Sequence, residues 1–353
     1  MPEQTTPPAA IFRERIVESL TKLVARRRKL ADADRKEVWN ALLKSGPRFS
    51  VRQRQLRQEI RALLGWPLTD PPARSPSRRR LTPLDLVPWA STSRLECEVI
   101  EGFRSEALVC CPAKPTGQTP RLLIIQHGGQ GTPELVAGVP QSFNYNDAAQ
   151  TAVADGWTVV LPQLPLWQAN AEPAIDQSRI DLDLKQLGGS RAALDVLTLT
   201  RAADEALAEY GIPPSRLAIA GLSYGGFYAL LTAALDPRFQ AVFSSCYVND
   251  RYVHNWTDWV WSGSASRIDD ALLTQLICPR PLFVEVGQSD ELFLVGSARP
   301  VLKKIRQGYS ARKAGAQLVC REFAGGHEFA PDGEGIHFLT RRIEERRKLC
   351  DRR

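Results

Sequence analysis

The chain has 353 residues and a net charge of +7, with a composition typical of a soluble globular protein and a length that allows one large domain or two smaller ones. Its seven cysteines are odd in number and lack CxxC spacing, which argues against a disulfide framework or a zinc site and favours reduced thiols. All of the excess positive charge lies in residues 1–90, which hold 19 Lys and Arg against 9 Asp and Glu.

The N-terminal region is predicted to be helical. Apolar residues at helical spacing mark one helix over residues 12–23, a second over 34–43 that opens with a capping box, and a third over 50–63. Basic residues interleave with these apolar stripes and match no known nucleic-acid-binding module. We therefore expect a solvated basic face that could contact the acidic body or a second subunit. No nucleic-acid partner is expected.

Residues 66–94 hold six prolines and the run Arg78–Arg80, which predicts an extended connector rather than a packed element. The predicted division of the chain is thus a helical extension over 1–65, this connector, and a large domain over 95–353.

Two segments bear on targeting. The first 20 residues lack the unbroken apolar run of a signal peptide, so we expect no export and a cytoplasmic location. Residues 217–235 carry no charge, but three glycines and Ser223 interrupt them. A strand, a sharp turn and a helix fit this segment better than a membrane span, and no transmembrane segment is predicted.

From residue 95 onwards, strand patterns alternate with helical ones. A hairpin is predicted over 94–100 and 106–111, and buried strands and helices follow it. The predicted strands are 121–126, 157–162, 217–222, 240–245, 281–287 and 317–323, and the predicted helices are 191–210, 224–235, 297–314 and 334–348. This alternation predicts an α/β fold with a doubly wound, mostly parallel sheet.

The turn inside the uncharged segment carries chemistry. Gly221-Leu-Ser223-Tyr-Gly225 matches the G-x-S-x-G nucleophile elbow, in which a strained strand-to-helix turn exposes a serine hydroxyl. The flanking glycines avoid collisions between closely approaching backbone segments. A turn serine without chemistry would give the same short pattern by chance, so the assignment depends on partners elsewhere.

An activated serine needs a base, and a carboxylate that orients this base. Asp290 follows the strand over 281–287, and His327 follows the strand over 317–323. The order serine, aspartate, histidine is the one expected for an α/β-hydrolase. Glu285 and Glu291 are rival acids, but the first lies within the strand and the second lies deeper towards the next helix. His337, the rival base, falls in the last predicted helix.

Acyl chemistry also needs donors for the oxyanion. The glycine-rich loop 126–131 follows a strand at the place where one such donor is expected. We predict the backbone N–H groups of Tyr224 and Gly129 as donors, with Gln130 as a substitute for Gly129. His127 is assigned to structure, bonded to the backbone of this loop.

An insertion over residues 247–279 concentrates aromatic side chains between two strands. Those that could line an acyl or alcohol pocket are Tyr252, Trp256, Trp259 and Trp261. Packing of the insertion on itself is the alternative.

These motifs resemble the α/β-hydrolase superfamily, in its branch of acetyl xylan esterases, dienelactone hydrolases and prolyl oligopeptidase-like enzymes. The resemblance spans residues 95–345 and rests on HGG, GLSYGG, AALDPRFQAV, CPRPLFVEVGQSDELF and GGHEF. It implies an α/β-hydrolase fold and a serine carboxylic-ester hydrolase that uses neither a metal nor an organic cofactor. Dienelactone hydrolases proper carry cysteine where this chain has Ser223, and 90 helical residues cannot build the propeller of a prolyl oligopeptidase.

The expected function is hydrolysis of a carboxylic ester, with a small acyl group, through Ser223, His327 and Asp290 and an acyl-enzyme intermediate. A peptidase or amidase would use the same triad, and a non-catalytic binding protein with this fold is a third alternative. The expected partner is a small-molecule ester, and a homo-oligomer stays open.

Overall fold

The computed structural model describes residues 8–70, 79–113, 119–165, 177–253 and 259–350. These residues contain a mixed sheet flanked by helices. The nine strands found there are β1 Arg80–Leu84, β2 Ala90–Ile100, β3 Phe103–Pro112, β4 Leu122–Gln126, β5 Thr158–Pro162, β6 Leu217–Leu222, β7 Ala241–Ser245, β8 Leu282–Gly287 and β9 Leu318–Phe323.

Helices cover both faces of this sheet. In the described ranges they are α1 Pro8–Leu43, α2 Phe49–Leu64, α3 Pro133–Val136, α4 Ala148–Ala154, α5 Gln177–Gln186, α6 Arg191–Glu209, α7 Tyr224–Leu235, α8 Ser264–Arg267, α9 Asp270–Ile277, α10 Val295–Ala311 and α11 Glu334–Cys350. The hairpin and the later strands and helices predicted from the sequence are therefore present, with bounds that differ by a few residues.

The strand order is β1-β2-β3-β5-β4-β6-β7-β8-β9. The pairs from β1 to β3 and the pair β3–β5 are antiparallel, whereas every pair from β5 to β9 is parallel. Gln126 of β4 lies opposite Gly221 of β6, and Leu222 lies opposite Ser245 of β7. The loops that follow these parallel strands therefore leave from one edge of the sheet, where ligands bind in such folds.

Two apolar cores lie on the two faces of the sheet. Along β4, Leu122 and Ile124 point into one core with helices α6 and α7, and Leu123 and Ile125 point into the other with α4 and α11. This alternation follows from the period of two along a strand. Burial on both faces explains why the parallel strands read as unbroken apolar runs.

The N-terminus differs from the prediction of three helices. The first two predicted helices are one 36-residue helix, α1, whereas α2 matches the third. No glycine or proline separates the two predicted helices, and the residues between them are mostly good helix formers. The capping box at Asp34 thus lies inside a continuous helix.

Helix α2 belongs to the main body rather than to a separate extension. Its Ile60 and Leu64 are buried in the core cluster that includes the sheet. The Gln53 side chain donates to the carbonyl oxygens of Gln275 and Cys278 at 2.7 and 2.6 Å. The predicted domain boundary at residue 65 therefore does not separate two hydrophobic cores.

Part of the predicted connector is also packed. Residues 80–84 form β1 on the edge of the sheet, where Pro83 is tolerated because an edge strand leaves some N–H groups unpaired. Arg79 forms salt bridges with Glu205 and Glu209 at 3.2 and 2.7 Å. Arg79 thus ties this segment to helix α6, and Arg80 begins strand β1. Arg78 lies outside the described residues.

The uncharged segment 217–235 is divided as predicted, into β6, Ser223 and α7. Among the described residues, no helix has the length and apolar character needed to cross a membrane. The six cysteines described outside the C-terminal turn are free thiols, as predicted.

Candidate active site

Ser223 occupies the single position between strand β6 and helix α7. Its backbone is in an unusual region, with φ at 59° and ψ at −121°, and strain of this kind is concentrated at functional sites. A Cβ on Gly221 would collide with the backbone of Gly225, and a Cβ on Gly225 would collide with the carbonyl of Gln126. Both motif glycines are therefore required by close backbone approach, for the reason inferred from the sequence.

Asp290 and His327 are joined at the carboxyl edge of the sheet. His327 Nδ1 lies 2.9 Å from Asp290 Oδ2. The other carboxylate oxygen of Asp290 accepts the N–H groups of Leu292 and Phe293, each at 2.8 Å. Burial acts to raise the pKa of Asp290, but the hydrogen bonds from His327 and the backbone outweigh it and lower this pKa. Asp290 is thereby kept ionised beside the imidazole.

The histidine ring is also held from one side by an aromatic ring. Phe293 stacks on His327 with ring centroids 5.4 Å apart and an angle of 10° between the planes. Phe293 has no sequence signature of this role, since no motif distinguishes a stacking phenylalanine from a core one. The short spacing from Asp290 to Phe293, in a loop next to the proposed base, is the signal that could have found it.

Ser223 and His327 line the same cavity, which has a volume of about 470 Å³. Gly129, Gln130 and Tyr224 line it as well, so the residues predicted as oxyanion donors surround the serine. Tyr224 begins α7, and its N–H belongs to the turn of N–H groups at the amino end of that helix. The cavity thus combines a nucleophile candidate, an imidazole and backbone donors.

The glycine-rich loop is braced by two buried side chains. His127 Nδ1 donates to the carbonyl oxygen of Gly128 at 2.7 Å, and its Nε2 accepts the N–H of Leu164 at 3.1 Å. Burial lowers the pKa of His127 to about 4, so the ring stays neutral. This placement agrees with the structural role predicted for it.

The second brace, Tyr145, was not predicted. Its hydroxyl accepts the N–H of Gly128 at 2.9 Å, and its ring lines the cavity beside Ser223. Burial raises the pKa of this phenol to about 12, so it stays protonated. Tyr145 lies in a loop without a motif, and only the folded chain brings it to residues 128–131.

The loop of Tyr145 also contacts the loop that carries His327. Asn144 accepts the N–H of Phe329 at 2.9 Å, and the side-chain amide of Asn146 donates to Glu328 and to the carbonyl of Phe329 at 2.9 and 2.6 Å. Residues 144–146 therefore connect the glycine-rich loop to the residues that follow His327. A displacement of either loop would be transmitted to the other.

The rival acids and the rival base lie elsewhere. Glu285 is buried in a salt bridge with Arg321 at 2.7 Å and also accepts the N–H of Ala330, while Glu291 is exposed. His337 bonds to Asp155 at 2.9 Å on helix α11. None of the three lines the cavity that holds Ser223.

A single group among the described residues has metal-ligand spacing, and it overlaps the acid and the base. It consists of Cys246, Asp290 and His327. Burial raises the pKa of Cys246 to about 12, and its sulfur lies 3.2 Å from the carbonyl oxygen of Glu328. Asp290 and His327 of this group are already bonded to each other.

Of the predicted pocket aromatics, Tyr252, Trp259 and Trp261 are described by the structure, and none of them lines the cavity of Ser223. Trp261 is buried against Phe227, with ring centroids 6.3 Å apart, in an aromatic cluster of the core. Tyr252 and Trp259 line a second cavity of about 200 Å³, which Phe293 also lines. Trp256 lies outside the described residues. Trp261 thus packs on helix α7, and Trp259 contacts Tyr247 within the insertion, with ring centroids 5.3 Å apart.

The chain is similar in sequence to a known bacterial protein. No protein-family model matches the chain. YtaP of Bacillus subtilis (strain 168), provisionally named a hydrolase, is 25% identical over 247 residues, which are 65% of this chain and 81% of YtaP.

Two solved structures are similar in fold. A Bacteroides fragilis protein provisionally named an acetyl xylan esterase superposes with a TM-score of 0.61 at 15% identity, over 78% of this chain and 75% of its own. A glucuronoyl esterase of Solibacter usitatus gives a TM-score of 0.60 at 13% identity, over 82% and 91%.

The chain has the α/β-hydrolase fold. In this fold the nucleophile elbow lies between a central strand and its helix, and the acid and the base follow later strands. Ser223 after β6, Asp290 after β8 and His327 after β9 occupy these positions. The fold predicted from the sequence is confirmed.

Proposed function

We propose that the protein is a serine hydrolase that cleaves a carboxylic ester. The observation that carries this proposal is the 2.9 Å contact between His327 and Asp290, with His327 and the elbow serine on the wall of one cavity. The names of the similar proteins support it, since YtaP is named as a hydrolase and the two solved structures as esterases.

The first chemical step forms a tetrahedral intermediate. Ser223 Oγ attacks the ester carbonyl carbon, and His327 Nε2 takes the hydroxyl proton. The ionised Asp290 holds the Nδ1–H tautomer and stabilises the imidazolium. The N–H groups of Tyr224 and Gly129, or Gln130 in place of Gly129, donate to the oxyanion, and each such donor contributes about 3 to 4 kcal/mol to the transition state.

The tetrahedral intermediate then collapses to an acyl-enzyme, which water hydrolyses. His327 returns its proton to the leaving oxygen, the bond between carbonyl carbon and alcohol oxygen breaks, and the alcohol departs. Water attacks the acyl-enzyme and gives one proton to His327. The bond to Ser223 Oγ breaks, the hydroxyl regains that proton, and the carboxylic acid is released.

The cavity favours an ester with a small acyl group. Its volume of about 470 Å³ lies at the lower end of the range for small-molecule sites. Leu135, Leu222 and Leu292 contribute apolar wall, whereas the glycine-rich loop contributes backbone. We therefore expect an acyl chain of a few carbons to lie against these leucines.

The experiment compares p-nitrophenyl esters of increasing acyl length with aminoacyl anilides, using the wild type and Ser223→Ala. We expect acetate and butyrate esters to turn over fastest, and the substitution to remove about 10⁴-fold or more of that activity. Turnover that survives Ser223→Ala would contradict the assignment of the nucleophile. Faster cleavage of anilides would indicate an amidase, and no cleavage of either substrate would indicate a binding protein.

A further inference from the structure

The first half of helix α1 presents an apolar face that no other described part of the chain covers. We call residues 8–27 of this helix the arm. Every residue from 11 to 30 is exposed. Large apolar side chains that are 41–61% exposed there are Ile11, Phe12, Ile16, Val17, Leu20, Leu23 and Val24. A contiguous apolar surface of this kind on a soluble domain marks an interaction site.

Among the described residues, the contacts between this helix and the body begin beyond the arm. Arg28 lies over the ring of Tyr252 at 4.7 Å, and Arg35, Trp39 and Leu42 are buried. At 1.5 Å per residue, the 20 residues of the arm extend about 30 Å from this docked part. The arm therefore offers a long helical face to another molecule.

Four apolar positions of the arm are symmetric about Leu20. Ile16 and Val24 lie four residues on either side of it, and Val17 and Leu23 lie three residues on either side. An interface on a two-fold axis uses the same patch on both subunits, so residues at equal distances from the axis meet each other. Two antiparallel arms centred on Leu20 satisfy this condition.

The charges of the arm agree with the antiparallel direction. Residues 8–19 hold two arginines and two glutamates, whereas residues 20–31 hold five cations and no anion. A parallel pair would oppose the two basic halves. An antiparallel pair opposes each basic half with the half that carries Glu14 and Glu18, and so avoids this repulsion.

We propose that the arm binds the arm of a second copy of this chain, antiparallel, with the two-fold axis at Leu20. The apolar side chains around Leu20 form the seam, and the catalytic bodies lie at opposite ends of the pair. This inference is independent of the proposed chemistry, because the arm contributes no residue to the cavity of Ser223.

The first test is the mass of the full chain by sedimentation equilibrium. We expect the wild type to be a dimer, and Leu20→Glu to sediment at half that mass because two carboxylates would meet on the axis. Ala25→Glu is the matched control, since it adds the same charge about 140° around the helix from Leu20. The control should stay dimeric, and both variants should keep wild-type turnover of p-nitrophenyl acetate per chain.

The second test addresses the axis itself. Mild oxidation of Leu20→Cys should give a disulfide-linked dimer on a non-reducing gel, while Ala25→Cys and the wild type should not. A monomeric wild type, a dimer that survives Leu20→Glu, or cross-linking that is equal at 20 and 25 would overturn the proposal. Binding of a monomeric wild type to anionic lipid vesicles, abolished by Leu20→Glu, would assign the face to a membrane surface instead.

Discussion

Helix α7 and the arm of α1 are both rich in large apolar side chains, but their surroundings are opposite. Every residue of α7 is buried, and none is charged. In the arm, by contrast, residues 11–27 are all exposed, and seven cations lie between residues 13 and 29. Apolar spacing alone therefore predicts a helix but not its partner. The partner of α7 is the sheet of its own chain, and the partner that we infer for the arm is a second copy.

The two regions should also differ in what they control. Near α7, hydrogen bonds join Gly128 to Tyr145, Asn144 to the loop of His327, and that loop to the loop of Asp290. The arm makes no contact with these loops that the structure describes. Variants at the edge should change turnover at constant mass, and variants in the arm should change mass at constant turnover.

Asp290→Asn should give the largest change in turnover at constant mass. The amide would favour the wrong tautomer of His327, and we expect kcat for p-nitrophenyl acetate to fall about 10⁴-fold. The control is Glu291→Gln, which removes the neighbouring exposed carboxylate and should stay within twofold of the wild type. Sedimentation should give an unchanged mass for both, and an equal loss in the two variants would contradict the assignment of the acid.

A smaller effect is expected from Tyr145→Phe. The variant loses the hydroxyl that accepts the N–H of Gly128, so the oxyanion donors are held less firmly. We expect kcat to fall about 10- to 100-fold with little change in KM, because the lost positioning acts in the transition state. Tyr252→Phe removes a phenol in the second cavity and serves as the control. A rise in KM alone would indicate that Tyr145 binds substrate instead.

The smallest effect concerns stability and pH. His127 is neutral in the fold with a pKa of about 4, against an ordinary value of 6.5, so only the unfolded chain binds a proton between these values. Stability rises with pH through this window, and His127 should cost the wild type about 2 kcal/mol of unfolding free energy between pH 7 and pH 5. Urea titrations at the two pH values should show a smaller decrease for His127→Gln than for the wild type, and an equal decrease in the two proteins would contradict this prediction.

Residues with local signatures were predictable from the sequence. The glycines around Ser223 and the positions of Asp290 and His327 after their strands follow from strand patterns and chain order. By contrast, Tyr145 and Phe293 act through contacts that only the folded chain creates, and no local pattern distinguishes them from core residues.

The same limit explains the errors at the N-terminus. A capping box at Asp34 was interpreted as a helix start, although good helix formers on both sides let α1 continue through it. Prolines around residues 80–84 suggested a connector, although an edge strand tolerates Pro83. In both places tertiary pairing and helix continuity outweighed a local signal.

The central claim is that Ser223 is the nucleophile activated by His327. The most direct measurement is labelling with a fluorophosphonate, followed by mass spectrometry of the modified peptide. We predict one adduct, on Ser223, that forms quickly in the wild type, slowly in His327→Gln and not at all in Ser223→Ala. An adduct on another residue, or labelling of Ser223 at an unchanged rate without His327, would contradict the account.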